Sequence, residues 1–193
     1  NKIFFEVIIA DGFDKEALKL LKSKKNIRII DAKNYSLNGT MRLSSWNDII
    51  LIQSEDKKKI SIKDFKVVSK KKPSKTQLAN LIFAFNVCRY VKSNAIVIVD
   101  NHSTVGIGSG QPSRVDSCNI AINKMIKFRK SENEIVAASD AFFPFVDGVE
   151  KLVQSGVTAI IQPSGSIRDK EIIKFADATE TVLVFSKTRH FKH

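Results

Sequence analysis

The chain has 193 residues, a formal charge of +12 and 43% hydrophobic residues. This length suits one medium domain, or one domain with part of a neighbour, and the hydrophobic content is ordinary for a globular protein. No apolar run approaches the roughly 20 residues that cross a bilayer, so no membrane role is expected. Two cysteines, Cys88 and Cys118, are too few for a disulfide framework or a metal cluster, and a cytoplasmic protein is predicted.

The positive charge is spread over short lysine runs, at 22–25, 57–59 and 70–72. A basic protein can bind nucleic acid, a membrane surface or small anions. No aromatic residues interleave with these runs, as a base-stacking surface would require. Solvated lysines or an anionic small substrate are therefore favoured over a nucleic-acid site.

Hydrophobic runs alternate with helix-period segments, which indicates an α/β protein. In the first part of the chain, Asp14 can cap a helix that runs through Leu21. Strands are predicted at 3–9 and 27–30, and a longer extended segment at 41–53. The polar stretch 54–59 is the predicted boundary.

The pattern is clearer after residue 60. Ser74 and Gln77 have the spacing of a capping box, and the predicted helix after them has one apolar face. Asp147 and Glu150 repeat this spacing, and Gly156 is a predicted helix end. Other helices begin near Ser113 and Asp169, and strands are predicted at 95–99, 135–138, 158–161 and 182–185. These elements predict a three-layer α/β lobe preceded by the tail of another unit.

The glycine-rich segment 105–111 is predicted to be a loop before the helix from Ser113. Its glycines would let a backbone approach a ligand, and the helix would offer free N–H groups to an anion. The dinucleotide fingerprint is broken, because Gln111 stands where a small residue is needed. A tight turn, with Gln111 and Arg114 as structural polar groups, is the alternative.

Three phenylalanines surround Pro144 in the segment 139–148. They are either core residues, which is the commoner fate of phenylalanine, or the wall of a pocket for a flat heterocycle. In the second case Asp147 would bond the polar edge of that heterocycle. The aspartates that bracket the segment, Asp140 and Asp147, favour the pocket.

Two further polar segments follow predicted strands. Ser166, within 162–169, either bonds a ligand or caps the next helix. The basic end at 188–193 is either frayed or tied down and used. A zinc deaminase is excluded, because His102 has no glutamate two residues later and no Cys-x-x-Cys is present. No phosphate-binding P-loop or serine-hydrolase elbow is present either.

Five segments in this order resemble the purine-biosynthesis family that carries an AICAR formyltransferase domain. They are 92–96, 105–114, 139–145, 162–169 and 189–193. The resemblance implies a three-layer, cytidine-deaminase-like lobe without zinc at 61–193, preceded at 1–60 by the end of a similar lobe. It also implies a homodimer and transfer of a formyl group from 10-formyltetrahydrofolate to the 5-amino group of AICAR.

The resemblance also implies roles for particular residues. Asn94 would contact the reacting groups, and Arg189 would pair with the nucleotide phosphate. The Phe142 backbone would hold the nucleotide carboxamide, while Ser166 and His193 would support the substrate end of the site. The folate would be contacted by Arg114, Val115, Pro144, Phe145 and Asp147. A potassium site near Ser93 and Asp140 is implied as well.

Three departures from the family pattern stand out. The Lys-His pair of the family would lie upstream of Asn1, so this chain is expected to need the upstream part of the same polypeptide for turnover. Gly148 stands where some relatives have asparagine, which would remove one folate contact. A glycine-rich strand of the first lobe is replaced by residues 44–48.

Two other functions are compatible with parts of the sequence. The lysine runs would suit a non-catalytic, basic binding or regulatory module that contacts an anionic polymer, and salt-sensitive binding would identify it. The glycine-rich segment would suit a dinucleotide-dependent enzyme, against which the broken fingerprint argues.

Overall fold

The structure is a computed structural model that describes residues 4–34, 41–58, 60–128 and 134–193. The chain divides into two compact units, Asn1–Glu55 and Asp56–His193. This division falls within the polar stretch 54–59 that the sequence marks as a boundary. The assignment of the units to two formyltransferase lobes stays a prediction.

The first unit contains a small parallel sheet in which β1 (Val7–Ala10) pairs with β2 (Arg28–Asp31). The connecting helix α1 (Lys15–Lys22) begins as predicted, because the Asp14 carboxylate accepts a hydrogen bond from the Ala17 N–H at 2.7 Å. Strand β1 starts later than the predicted strand 3–9, of which residue 3 lies outside the described residues.

The first unit also contains an antiparallel hairpin of β3 (Met41–Trp46) and β4 (Ile49–Ser54). The sequence predicted one extended segment here. The structure divides it with a two-residue turn, in which Asn47 takes a left-handed backbone with φ of 49°. Asparagine tolerates this conformation better than most residues, so the turn falls at a chemically suitable place.

The second unit is built on a six-stranded mixed sheet with the order β5-β10-β9-β8-β6-β7. Strands β8, β9 and β10 are mutually parallel, whereas β5, β6 and β7 join by antiparallel pairing. The strands are β5 (Phe65–Val67), β6 (Ile96–Asp100), β7 (Ser103–Gly108), β8 (Ile135–Ser139), β9 (Val157–Pro163) and β10 (Val182–Ser186).

Helices cover both faces of this sheet. One face packs on α2 (Lys75–Cys88), and the other packs on α3 (Arg114–Phe128), α4 (Asp147–Gln154) and α5 (Asp169–Ala178). In β6, Val97 and Val99 lie in the α2 core, while Ile96 and Ile98 lie in the opposite core. The predicted α/β class is confirmed, with three layers. No helix in the described ranges is long and apolar enough to span a membrane.

Of the two predicted capping boxes, the structure contains one. The capping box of α2 is confirmed: the Ser74 hydroxyl accepts from Gln77 N–H, and Gln77 Oε1 accepts from Ser74 N–H, both at 3.0 Å. The box at Asp147 is wrong, because Val146 is the N-cap of α4 and Asp147 is its first residue. The Asp147 carboxylate instead accepts from the next N–H, that of Gly148, at 2.7 Å.

The predicted glycine-rich loop is also wrong for most of its length, since residues 105–108 belong to β7. A Cβ on Gly106 would lie 2.1 Å from the Ala121 carbonyl oxygen, and one on Gly108 would lie 1.9 Å from that of Ser117. Both partners are backbone atoms of α3. These glycines therefore admit the close approach of a helix to the sheet and not that of a ligand.

Candidate functional site

The antiparallel pairing of β6 with β8 decides which loops meet. Ile96 lies opposite Ser139, so the start of β6 and the end of β8 share one edge of the sheet. The Asp140 N–H donates to the Ala95 carbonyl at 3.2 Å. Asn94 and Asp140, which are 46 positions apart in the sequence, are thereby brought to the same place.

A buried ion pair lies at the centre of this edge. The Arg114 guanidinium contacts the Asp140 carboxylate, and the two side chains are only 8% and 0% exposed. Arg114 Nη1 also donates to the Ser139 hydroxyl at 2.9 Å. The second oxygen of Asp140 accepts from the Ser93 hydroxyl at 2.5 Å. Each charge is therefore paired and hydrogen-bonded, as a buried charge requires.

The Asn94 amide is held from both ends. Its Oδ1 accepts from Arg114 Nη2 at 2.8 Å, and its Nδ2 donates to the carbonyls of Gln111 and Pro112 at 2.9 and 3.1 Å. Both N–H donors are used, which leaves one lone pair of Oδ1 for a ligand. In this arrangement the Asn94 side chain can accept a further hydrogen bond but has no donor to offer.

The three phenylalanines that follow β8 do not share one environment: one is a core residue, and the other two are accessible enough to line a pocket. Phe143 is 1% exposed and belongs to the core, whereas Phe142 is half-buried and Phe145 is 52% exposed. Pro144 is exposed as well. A Cβ on Gly148 would lie 2.8 Å from two ring atoms of Phe143, so an asparagine there would require this ring to move.

Two arginines lie over this segment from other parts of the chain. The Arg189 guanidinium is 4.8 Å from the centre of the Phe142 ring, and that of Arg168 is 4.9 Å from the centre of the Phe145 ring. These distances are typical of cation–π contacts. Arg189 also lies against Gly165, where a Cβ would be 3.0 Å from its Nη2.

The turn before α5 uses its polar groups internally. The Asp169 carboxylate accepts from the N–H groups of Gly165 and Ser166, at 2.8 and 3.2 Å. The Ser166 hydroxyl accepts from the Arg168 N–H at 3.2 Å. Ser166 is not the N-cap of α5, since Arg168 holds that position. The hydroxyl therefore orders the turn, and its contact with a substrate stays a prediction.

Residues 188–193, called the tail below, are held in place by hydrogen bonds to the rest of the second unit. The His190 N–H donates to the Asp140 carbonyl, and the Ser93 N–H donates to the Lys192 carbonyl, both at 2.9 Å. The Lys192 ammonium donates to the Tyr90 carbonyl at 2.6 Å. His193 stacks on Phe191 with ring centres 5.9 Å apart.

The structure thus brings together several of the residues that the resemblance singles out. Asn94 bonds Arg114, and Arg189 lies on Phe142. His193 follows Lys192, whose carbonyl is bonded to the neighbour of Asn94. Val115 is half-buried at the start of α3, and Asp147 is exposed at the start of α4. The binding roles of all these residues stay predictions.

Sequence reasoning missed a contact between a buried histidine and a carboxylate that is 30% exposed. His190 is 1% exposed, and its Nδ1 contacts the Asp56 carboxylate, 134 positions earlier. Burial lowers the pKa of His190, although the bond to Asp56 opposes this shift. Burial acts to raise the pKa of Asp56, but the His190 contact, the Lys58 N–H and the Arg89 charge together lower that pKa below its ordinary value. No local sequence pattern links residues so far apart.

The cysteines are poor candidates for nucleophiles. Burial raises the pKa of the Cys118 thiol to about 12 and that of Cys88 well above its ordinary value. The reactive thiolate is therefore disfavoured at neutral pH. Within the described ranges, no group of three or more His, Cys, Asp or Glu could hold a metal ion.

Ser93 and Asp140 supply the kind of oxygen donors that suit an alkali cation. The Asp140 carboxylate, however, is already bonded by Arg114 and by the Ser93 hydroxyl. The negative charge of Asp140 is thus already balanced by Arg114. The oxygen atoms are of the type that binds an alkali cation, but no unbalanced negative charge is left to attract one. The potassium site stays a prediction.

Comparison with known proteins identifies the family. The model of the AICARFT/IMPCHase bienzyme family matches residues 1–124, which is more than half of the chain, so the chain belongs to this family. It is 44% identical, over all 193 residues, to the bifunctional purine biosynthesis protein PurH of Chlorobium chlorochromatii. The same coverage is found for PurH of Chlorobaculum parvum at 44% identity and of Pelodictyon phaeoclathratiforme at 43%. The chain spans 37% of the length of these relatives.

A solved structure, the apo dCMP deaminase of the cyanophage S-TIM5, matches 58% of this chain and 98% of its own. The identity is 15% and the TM-score is 0.39. The cytidine-deaminase-like assignment of the lobe stays a prediction.

Proposed function

We propose that the chain is part of an AICAR formyltransferase, which transfers the formyl group of 10-formyltetrahydrofolate to the 5-amino group of AICAR in purine synthesis. The observation that carries this proposal is the meeting of the resembling segments at one edge of the sheet. There Asn94 is bonded to Arg114, and Arg189 lies on Phe142. The formyltransferase activity is favoured over the cyclohydrolase activity of the family, because the segments that resemble the transferase domain form this edge.

The chemistry gives Asn94 a specific part. The 5-amino group is a weak nucleophile, since its lone pair is delocalised into the ring and the carboxamide. Transfer therefore needs close positioning, removal of a proton and stabilisation of the tetrahedral oxyanion. The open lone pair of Asn94 Oδ1 suits an acceptor for the amine N–H. Because its own N–H donors are bonded to Gln111 and Pro112, Asn94 is not the donor for the oxyanion.

The other contacts follow the same edge. Arg189 would bind the nucleotide phosphate while it rests on Phe142, and the backbone of Phe142 would hold the carboxamide. The exposed Phe145 would offer its ring to the pterin of the folate. Proton transfer would come from a Lys-His pair in a preceding segment of a longer polypeptide, and a homodimer in the cytoplasm is the proposed working state.

The test is formyl transfer with saturating AICAR and 10-formyltetrahydrofolate. We expect turnover by a full-length polypeptide and none by residues 1–193 alone. In the full-length protein, Asn94→Ala should lower kcat about 100-fold, as expected for loss of a group that positions the reacting amine. Gln154→Ala is a matched control, because it removes an exposed amide at the end of α4 that bonds Glu150 on the same helix at 3.3 Å. A full-length protein that binds neither AICAR nor a folate would refute the proposal.

A further inference from the structure

The tail between β10 and the last residue alternates between two sides. Thr188 and His190 are buried, whereas Arg189 and Phe191 are exposed. The His190 ring packs on Phe85 of α2, with ring centres 4.5 Å apart. In an extended chain successive side chains point to opposite sides, so the burial of His190 sets the direction in which Arg189 points.

His190 is held by a carboxylate that is itself fixed. One oxygen of Asp56 accepts from the Lys58 N–H at 3.2 Å, and the other contacts His190 Nδ1. The Lys58 carbonyl accepts from Arg89 at 2.7 Å. Arg89 is the C-cap of α2, so a continuous set of bonds runs from the end of this helix to the tail.

The imidazole has no second hydrogen-bond partner among the described residues, since its Nε2 is buried and unbonded. A role as proton shuttle is therefore disfavoured. The ring makes one bond, to Asp56, and one packing contact, to Phe85. Both contacts fix the position of the tail.

From this arrangement we propose that Asp56 and His190 form a positioning pair, which orients Arg189 for the nucleotide phosphate and His193 for the reacting end of the site. Neither residue would touch substrate. This inference rests on the proposed function, and it adds two residues that no comparison assigns to the site.

The kinetic test uses Asp56→Ala in the full-length protein. We expect the KM for AICAR to rise about tenfold, because a small displacement of a binding group is costly, while the KM for the folate stays unchanged. The KM for the unphosphorylated riboside of AICAR should change little in this variant, since the riboside has no phosphate for Arg189 to bind. Asp56→Asn keeps an acceptor for His190 and should restore most of the affinity.

The matched control is Asp177→Ala. Asp177 also fixes a segment distant in sequence, by accepting from the Lys70 N–H at 2.7 Å, but it lies on α5 away from the tail. This variant should lose stability without a change in either KM. If Asp56→Ala behaves in the same way, with a lower Tm and an unchanged KM for AICAR, the pair is merely structural and the proposal is overturned.

Amide hydrogen exchange separates this inference from the proposed function. Exchange at residues 189–193 should be faster in Asp56→Ala than in the wild type and unchanged in Asp177→Ala. A wild-type protein without formyl transfer would overturn the proposed function, whereas unchanged tail exchange in Asp56→Ala would overturn the positioning pair even in an active enzyme.

Discussion

Arg114 and Asp140 form an ion pair that is almost fully withdrawn from solvent, and the same guanidinium holds the oxygen of the Asn94 amide. The pair therefore does two things: it stabilises the junction of α3 with the end of β8, and it orients a proposed site residue. A buried pair of this kind is costly to break, because removing one charge leaves the other unpaired.

The first prediction concerns this pair. Asp140→Asn should lower the free energy of unfolding by about 3 kcal/mol, since the Arg114 charge stays buried without its counter-charge. Urea denaturation followed by circular dichroism measures the change. Glu171→Gln is the control, because the Arg168–Glu171 pair is 46% and 55% exposed and should contribute less than about 1 kcal/mol. Equal losses in the two variants would contradict the assigned role of burial.

The second prediction concerns the contact between β7 and α3. Gly106→Ala should destabilise the second unit by about 3 kcal/mol or prevent its folding, because the new Cβ would overlap the Ala121 carbonyl. Gly110→Ala is the control: its φ of +68° strains an alanine by about 1–2 kcal/mol, and the nearest atoms are in the flexible Lys92 side chain. Thermal unfolding compares the Tm of the two variants. If Gly106→Ala lowers Tm no more than Gly110→Ala does, α3 is able to move away from β7.

The third prediction follows from the lowered pKa values of His190 and Asp56. The unfolded His190 binds a proton near its ordinary pKa of 6.5, while the folded one binds it only at lower pH. The stability from this residue is thus fully present above pH 6.5 and is lost as the pH falls. The contribution of Asp56 is lost further down, below its ordinary pKa of 3.8. Both effects make acid destabilising.

Urea denaturation between about pH 7.5 and about pH 5 tests this dependence. The wild type should lose stability more steeply than His190→Phe, which keeps the packing on Phe85 and removes the titrating ring. The charges that influence His190 are those of Asp56, Arg89 and Asp140, and they remain in the variant. Parallel curves for the two proteins would show that His190 does not carry the pH dependence.

The fourth prediction concerns Gly165 and assumes the proposed function. Its φ is +111°, and an added Cβ would lie 3.0 Å from Arg189 Nη2. Gly165→Ala should therefore displace Arg189 and raise the KM for AICAR about tenfold in the full-length protein. Gly156→Ala is the control for backbone strain, because φ there is +96° but the residue follows the C-cap of α4, Ser155. An unchanged KM for AICAR in Gly165→Ala would show that Gly165 does not determine the position of Arg189 in the site.

The sequence predicted best what is decided by near neighbours. Asp14 caps α1 and Ser74 pairs with Gln77 as expected, because both interactions join residues three positions apart. Strands β6, β8, β9 and β10 were also predicted close to their observed ranges, since each contains a continuous apolar run buried on both faces. Strand β5 was not predicted, and most of β7 was predicted as a loop. The resemblance then indicated which of the connecting segments form the proposed site.

What depends on distant partners was not predicted. The spacing of Gly106 and Gly108 is equally compatible with a ligand loop and with a helix contact, and only the position of α3 decides between them. Asp147 has cap spacing, yet the turn after Phe143 starts α4 one residue earlier. The Asp56–His190 pair joins the two ends of the second unit, so no window of sequence contains both residues.

The pairing of β5 with β10 has a consequence for biosynthesis. Val67 lies opposite Val184, so an edge strand made early is completed by a strand made more than a hundred residues later. While a ribosome makes this unit from its N-terminal end, Phe65–Val67 stays without its hydrogen-bonding neighbour until Val182–Ser186 has emerged. The pairing of two strands so far apart in the sequence is slow. The sheet of the second unit is therefore completed only after β10 has been made, and a chain truncated before β10 would leave β9 with an open edge and β5 without its partner strand in this sheet.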